Sequence, residues 1–220
     1  MIEARSWDLR QQLLEEKAAL GFALSGHLFS VYAREIAGFP RTPLARLAPA
    51  EQRVWLAGVV NAARTQMTRR GRMMAVLLDD GTAQVEVSVF NELFEKHRDK
   101  LKEDALLIVQ GKVQRDDFAG GMRVIADELY DLPGLRARYA ARLRLEMNGK
   151  ADARQLMDLL APYRTGGACP VFVHCQTGAA TCDVALGDDW RVRPDAQLIE
   201  RLGAWLAPEN VQIVYSSGAA

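Results

Sequence analysis

The chain has 220 residues, 49% hydrophobic and 25% charged, an ordinary globular balance with room for one large domain or two small ones. Its 28 basic and 28 acidic residues cancel, so net charge points to no class of partner. No stretch approaches the run of about 18 apolar residues that a membrane span needs. Met1-Ile2-Glu3-Ala4-Arg5 lacks the basic-then-apolar order of a signal peptide, so a cytoplasmic location without a membrane partner is expected.

The chain opens with a helical pattern. Ser6 can cap it, Leu9, Leu13, Leu20 and Leu24 share one face, and Gly26 is the expected stop. A shorter helix, Leu28 to Ala37, ends at Gly38, and Pro40 and Pro43 mark an irregular stretch. A lead-in of this size cannot bury both faces alone, so it is expected to pack against something else, such as a domain outside this chain. At Arg53 the period changes. Val54 to Ala63 is an apolar run broken by Gly58, Arg72 to Leu78 is a second strand, and Asp79-Asp80-Gly81-Thr82 is a tight turn. Beside Gly81 the two aspartates read as turn residues, not as a metal-binding pair. Ala83 to Phe90 alternates, with Val85, Val87 and Val89 on one face. Asn91 caps a helix through Leu101; Leu106 to Gln114, with Gly111 inside it, and Met122 to Asp131 complete five strands.

Strand, strand, strand, helix, strand, strand is the order of an OB-fold, and glycines inside the first and fourth strands suit the bends of a small closed barrel. Beyond Pro133-Gly134 a linker helix is expected from Leu135 to about Met147. A helix from Asp152 to Leu160 follows, then a hairpin of Val171–Gln176 and Thr181–Leu186 around Thr177-Gly178-Ala179. A helix opened by Pro194 and Asp195 and a strand from Val211 to Tyr215 end the pattern. The expected fold class is mixed β and α+β. A helical lead-in (1–50) precedes a five-stranded OB-fold barrel (51–133), a linker helix (134–150) and a small α+β domain (151–220).

Cys169, Cys175 and Cys182 match no common zinc spacing and are expected to be buried, reduced thiols. His174 beside Cys175 makes no catalytic pair, because neighbours on a strand point to opposite faces. No nucleophile–base–acid set can be assembled from three histidines and three cysteines at these positions, and no metal or other cofactor is expected.

Charge distribution says more than net charge. From Arg53 through Leu78 there is no Asp or Glu, while Arg53, Arg64, Arg69, Arg70 and Arg72 all fall inside. OB barrels bind strands across their second and third strands and the flanking loops. The expected loop between the first two strands, Arg64 to Arg72, therefore becomes the leading candidate for phosphate contact, as Arg64, Arg69, Arg70 and Arg72 offer forked donors. The loop between the fourth and fifth strands adds Arg115, Phe118 and Arg123, weakened by Asp116 and Asp117. Phe118 is either a stacking platform for a base or a plug on the barrel end, and Arg69-Arg70-Gly71 is either a binding tip or a solvated one. Single-stranded nucleic acid is the expected ligand. A pure protein-interaction module and a tRNA-binding OB domain are the alternatives.

Several motifs resemble one family. Leu20-Gly21-Phe22-Ala23-Leu24-Ser25-Gly26-His27, Arg69-Arg70-Gly71, Leu77-Leu78-Asp79-Asp80-Gly81, Val85-Glu86-Val87, Phe90 and Asp116-Asp117-Phe118-Ala119-Gly120-Gly121 follow one another as in the C-terminal region of bacterial DNA polymerase III alpha subunits. The resemblance covers nearly the whole chain. It departs at Leu28-Phe29, where many relatives have proline after the histidine. It implies a fragment of a DNA-directed DNA polymerase, a nucleotidyltransferase, whose catalytic carboxylates, phosphoesterase-like domain and clamp-binding motif lie upstream. It also implies an OB domain near single-stranded template DNA, a final domain (about Asp152 to Tyr215) that binds the tau subunit of the clamp loader, and other holoenzyme subunits held through the parent chain. Gly187-Asp188-Asp189-Trp190-Arg191-Val192 resembles the segment before the family's last helix. Trp190 and Trp205 are the candidate anchors for that partner, with core packing as the alternative role.

Overall fold

The computed structural model describes residues 7–68, 71–116, 120–147, 152–176 and 181–216. The chain divides into two units, Met1–Leu132 and Pro133–Ala220. No described helix is long and apolar enough to cross a membrane.

The first unit begins with α1, Leu9–Leu20. Its cap is Asp8, whose carboxylate accepts from Gln11 N at 2.7 Å; Ser6 lies outside the described residues. The helix stops at Gly21 (φ 85°), before Gly26, because the left-handed turn there closes the last helical carbonyls. Only Leu13 of the expected apolar face is buried, while Leu9, Leu20 and Leu24 are exposed. Glu16 holds the following turn. Its carboxylate accepts from Leu24 N and Ser25 N at 2.7 and 2.8 Å, and bonds chiefly from Ser25 lower its pKa to about 2. After α2, Ser30–Ile36, the lead-in lies against the barrel of its own unit. Lys17 Nζ pairs with Asp104 at 2.6 Å, and Phe39 stands edge-on to Trp55 with centroids 5.1 Å apart.

The barrel consists of β1 (Ala50–Thr68), β2 (Gly71–Asp79), β3 (Gln84–Phe90), β4 (Leu106–Arg115) and β5 (Met122–Tyr130), with α3 (Asn91–His97) between β3 and β4. It closes in the order β1-β2-β3-β5-β4, all neighbours antiparallel except β3 and β5. The alternation read in Val85, Val87 and Val89 is the inner face. These join Leu56, Val60, Val76, Leu78, Phe94, Leu107, Val109, Val113 and Val124 in one core. Closure depends on two glycines at close approaches. A Cβ on Gly58 would sit 2.7 Å from Leu78 Cγ, and one on Gly111 would sit 2.3 Å from the Ile125 carbonyl oxygen. Asp80 ties the lead-in to the β2–β3 turn. Its buried carboxylate accepts from Leu44 N at 3.0 Å, Thr82 N at 2.9 Å and Thr82 Oγ1 at 2.6 Å.

The second unit holds α4 from Pro133 onward (Leu132–Tyr139), then β6 (Ala140–Glu146), α5 (Ala153–Leu160), β7 (Val171–Gln176), β8 (Thr181–Ala185), α6 (Ala196–Leu206) and β9 (Val211–Tyr215). The sheet order is β8-β7-β6-β9. The expected linker helix from Leu135 to Met147 is thus corrected: it breaks at Tyr139, and its second half is an inner strand of the sheet. The helix-favouring residues Ala140, Ala141, Arg142 and Leu143 mask an alternation in which Leu143 and Leu145 are fully buried and Arg142, Arg144 and Glu146 take the other face. Burial of that face outweighs local propensity. Asp152 and Asp195 cap α5 and α6, which bury Leu156, Leu160, Leu198, Leu202 and Leu206. The expected turn Thr177-Gly178-Ala179 lies outside the described residues.

Candidate nucleic-acid interface

Residues paired directly across a ladder share a face. The registers therefore lay two rows across the outside of the barrel. One row runs Arg64 (β1), Ala75 (β2), Ser88 (β3), Ile125 (β5) and Lys112 (β4); the next runs Ala62, Leu77, Glu86, Arg123 and Gln114. Both lie opposite the core positions Val76, Val87, Val124 and Val113. Arg64, Lys112 and Gln114 are exposed at the ends, while Ala75 and Ser88 between them are buried. Two polar atoms of this face, Ser88 Oγ and Arg123 Nε, are buried and have no hydrogen-bond partner among the described residues. Both atoms are shielded from solvent, so the accessible groups of this face are the side chains at its ends, Arg64, Lys112 and Gln114.

The expected loop from Arg64 to Arg72 is corrected in shape. β1 runs to Thr68 and β2 starts at Gly71, with Thr65, Gln66 and Met67 paired to Met74, Met73 and Arg72. A bulge between Val60 and Ala62 lets β1 leave the barrel edge and continue as a hairpin arm. Arg64 is thus a strand residue on the outer face, and Arg72 stands across from Met67 near the arm's end. Arg69, Arg70 and Phe118 lie outside the described residues.

Among the described residues, the three arginines of the acid-free stretch each meet an acid. Arg53 Nε meets Asp127 at 3.0 Å, Arg64 meets Glu86 at 3.8 Å, and Arg72 meets Glu95 at 3.7 Å. Each acid comes from another segment, which the local sequence window cannot show. The Arg64 pair is long and the Arg64 side chain is 72% exposed, so it contributes about 0–1 kcal/mol and can be exchanged for a phosphate.

Arg115 is exposed at the end of β4, across from Met122. It shares a cleft of about 670 Å³ with Lys112 and Gln114, closed on the other side by Pro49, Ala50 and Glu51. Lys112 is the residue that sequence reasoning missed. The alternation Lys112, Val113, Gln114 already places it outward, but it lies outside the arginine-rich window. In the second unit, Trp190 and Trp205 are both half-buried and neither belongs to the buried core. The Arg164 guanidinium lies 4.3 Å above the Trp190 ring. Among the described residues no cluster of His, Cys, Asp or Glu could hold a metal ion.

Two family models match the chain. Residues 54–132 match an OB-fold nucleic acid binding domain, and residues 155–206 match the C-terminal domain of DNA polymerase III subunit alpha. The chain is 35% identical over 217 residues to the DNA polymerase III subunit alpha of Neisseria meningitidis serogroup A, covering 97% of this chain and 19% of that protein. It is 34% identical over 218 residues to the Pasteurella multocida subunit, covering 96% and 19%. It therefore spans about a fifth of the length of these relatives. Among solved structures, the second OB-fold domain of replication protein A from Methanococcus maripaludis is similar at 18% identity, covering 42% of this chain and 94% of that one with a TM-score of 0.35.

Proposed function

This chain belongs to the DNA polymerase III alpha-subunit family, corresponding to the C-terminal region of its relatives, and from that premise we propose that its barrel binds single-stranded DNA. The observation that carries the proposal is the outer row from Arg64 through Ser88 to Lys112, with Arg123 in the row beside it. Arg64, Lys112 and Arg123 supply contacts to the phosphate backbone, which carries no sequence information, so binding is expected to be sequence-tolerant.

Three phosphate contacts give a log–log salt slope of about −2 for a single strand, so affinity falls roughly 20-fold between 50 and 200 mM salt. Fluorescence anisotropy with labelled oligo-dT measures this directly. The triple variant Arg64→Ala/Lys112→Ala/Arg123→Ala is expected to bind weakly with a slope near zero. An unchanged slope in that variant removes the face from consideration. Salt-insensitive or absent binding by the wild-type chain favours a protein-interaction module, the reading for which the Arg64–Glu86 and Arg72–Glu95 pairs speak. Preference for folded tRNA over oligo-dT favours the tRNA-binding alternative.

The second unit is proposed to tether the polymerase to the tau subunit of the clamp loader, with other holoenzyme subunits reached through the rest of the parent protein. Support comes from the match at residues 155–206 and from two indoles held outside the core. Half-buried tryptophans are typical anchors, and losing one from an interface costs about 2 kcal/mol or more. Trp190→Ala or Trp205→Ala is expected to weaken co-elution with tau at least tenfold while leaving the far-ultraviolet circular dichroism unchanged. Full retention of the complex in both variants places the contact elsewhere.

A further inference from the structure

Two of the three cysteines meet in the hairpin of the second unit. The β7–β8 register sets Cys175 directly opposite Cys182. Residues so placed in an antiparallel ladder have Cα atoms about 4.5–5.5 Å apart, within the roughly 4.4–6.8 Å that a disulfide spans. Directly paired residues of a ladder put their side chains on one face, so the two thiols project from the same side of the hairpin. Cys182 is exposed and Cys175 half-buried, and every residue of the edge strand β8 is exposed. Cys169 is an internal contrast, buried with its thiol pushed up to about 11 by that burial. Of the three thiols expected to be buried, only Cys169 is.

We propose that Cys175 and Cys182 form a reversible cross-strand disulfide, a redox modification site that pins edge strand β8 to β7. With a peroxide as oxidant, the exposed Cys182 thiolate attacks one peroxide oxygen, takes it as a sulfenic acid, and the other oxygen leaves, with a proton, as water. The Cys175 sulfur then displaces the sulfenic hydroxyl, which departs as a second water with the Cys175 proton. Two thiols lose two electrons and the peroxide gains them. An exposed bond of this kind is readily reduced by a dithiol, so the site is reversible.

The test treats the reduced full chain with stoichiometric hydrogen peroxide, then alkylates and digests it with trypsin. All three cysteines fall in one peptide, Thr165–Arg191. The expected product is this peptide two hydrogens lighter, with no fragmentation between Cys175 and Cys182 and with alkylation lost at both. Dithiothreitol should restore both labels, and Cys169 should label in either state once the chain is denatured. Amide exchange across Thr181–Ala185 should slow on oxidation in the wild type and stay unchanged in Cys182→Ser. Cys182 proceeding to a sulfinic acid while Cys175 still alkylates would overturn the proposal. So would a bond to Cys169 or one joining two chains.

Discussion

Gly111→Val is expected to destabilise the first unit by about 3 kcal/mol or more in urea melts followed by intrinsic fluorescence. Gly111 is where β4 pairs with β1 on one side and β5 on the other, opposite Val54 and Ala126. The register with β5 slips between Gln110 and Gly111, a bulge that brings the two backbones together. A Cβ there would lie 2.3 Å from the Ile125 carbonyl oxygen and 3.0 Å from Val124 Cγ1. The first contact is with backbone, which cannot swing aside as a side chain can, so a ladder bond or the bulge itself must give. Domains of this kind have total stabilities of about 5–15 kcal/mol, so the loss is a large share. A midpoint unchanged relative to wild type would show that the barrel closes without this approach. Gly111→Ala should fall between the two.

Asp80→Ala is expected to cost about 3 kcal/mol, because it strands several donors that now end on one carboxylate. The Asp80 side chain is 1% exposed and draws Leu44 N, Thr82 N and Thr82 Oγ1 together, with Ala83 N at 3.3 Å and Arg41 Nη1 at 3.5 Å. Burial by itself would raise this carboxyl. The bonds from Thr82, Leu44 and Ala83 together outweigh it, and the pKa lies below the ordinary value. A depressed folded pKa means that the contribution is complete above the unfolded value, about 3.9, and is lost as pH falls through the folded one. Stability of the wild type should therefore drop on acidification below about pH 4 more steeply than that of Asp80→Asn. Parallel acid limbs in the two proteins would remove Asp80 from the account. The residue looked like a plain turn aspartate in the sequence, and as part of the β2–β3 turn it is one. Its second role, holding Leu44 of the lead-in, depends on a segment that the turn motif does not contain.

The barrel was legible because its signals are local. Val85, Val87 and Val89 alternate, Gly58 and Gly111 interrupt apolar runs, and Asp79-Asp80-Gly81-Thr82 separates two strands. Each reports a backbone requirement that neighbouring residues carry by themselves. β6 was misread for the same reason in reverse. Ala140, Arg142 and Leu143 favour a helix locally, and only pairing to both β7 and β9 makes the alternation of Leu143 and Leu145 decisive. The cysteine pair lies between these cases. The two strands of its hairpin were legible, but the register that sets Cys175 opposite Cys182 and the exposure of the edge strand β8 belong to the fold.

Sequence by itself determined the strand order of the barrel, the bends at Gly58 and Gly111, the helix starts at Asp152 and Asp195, and the resemblance to DNA polymerase III alpha subunits. Those features depend on residue type and spacing along the chain. Tertiary structure decided which charges meet. Arg53, Arg64 and Arg72 stand without acids nearby in sequence, yet Asp127, Glu86 and Glu95 reach them in space. Coulomb interaction depends on distance through the fold and not on separation along the chain. Tertiary structure likewise puts Arg64, Arg123 and Lys112, which come from three different strands, on one outer face of the barrel.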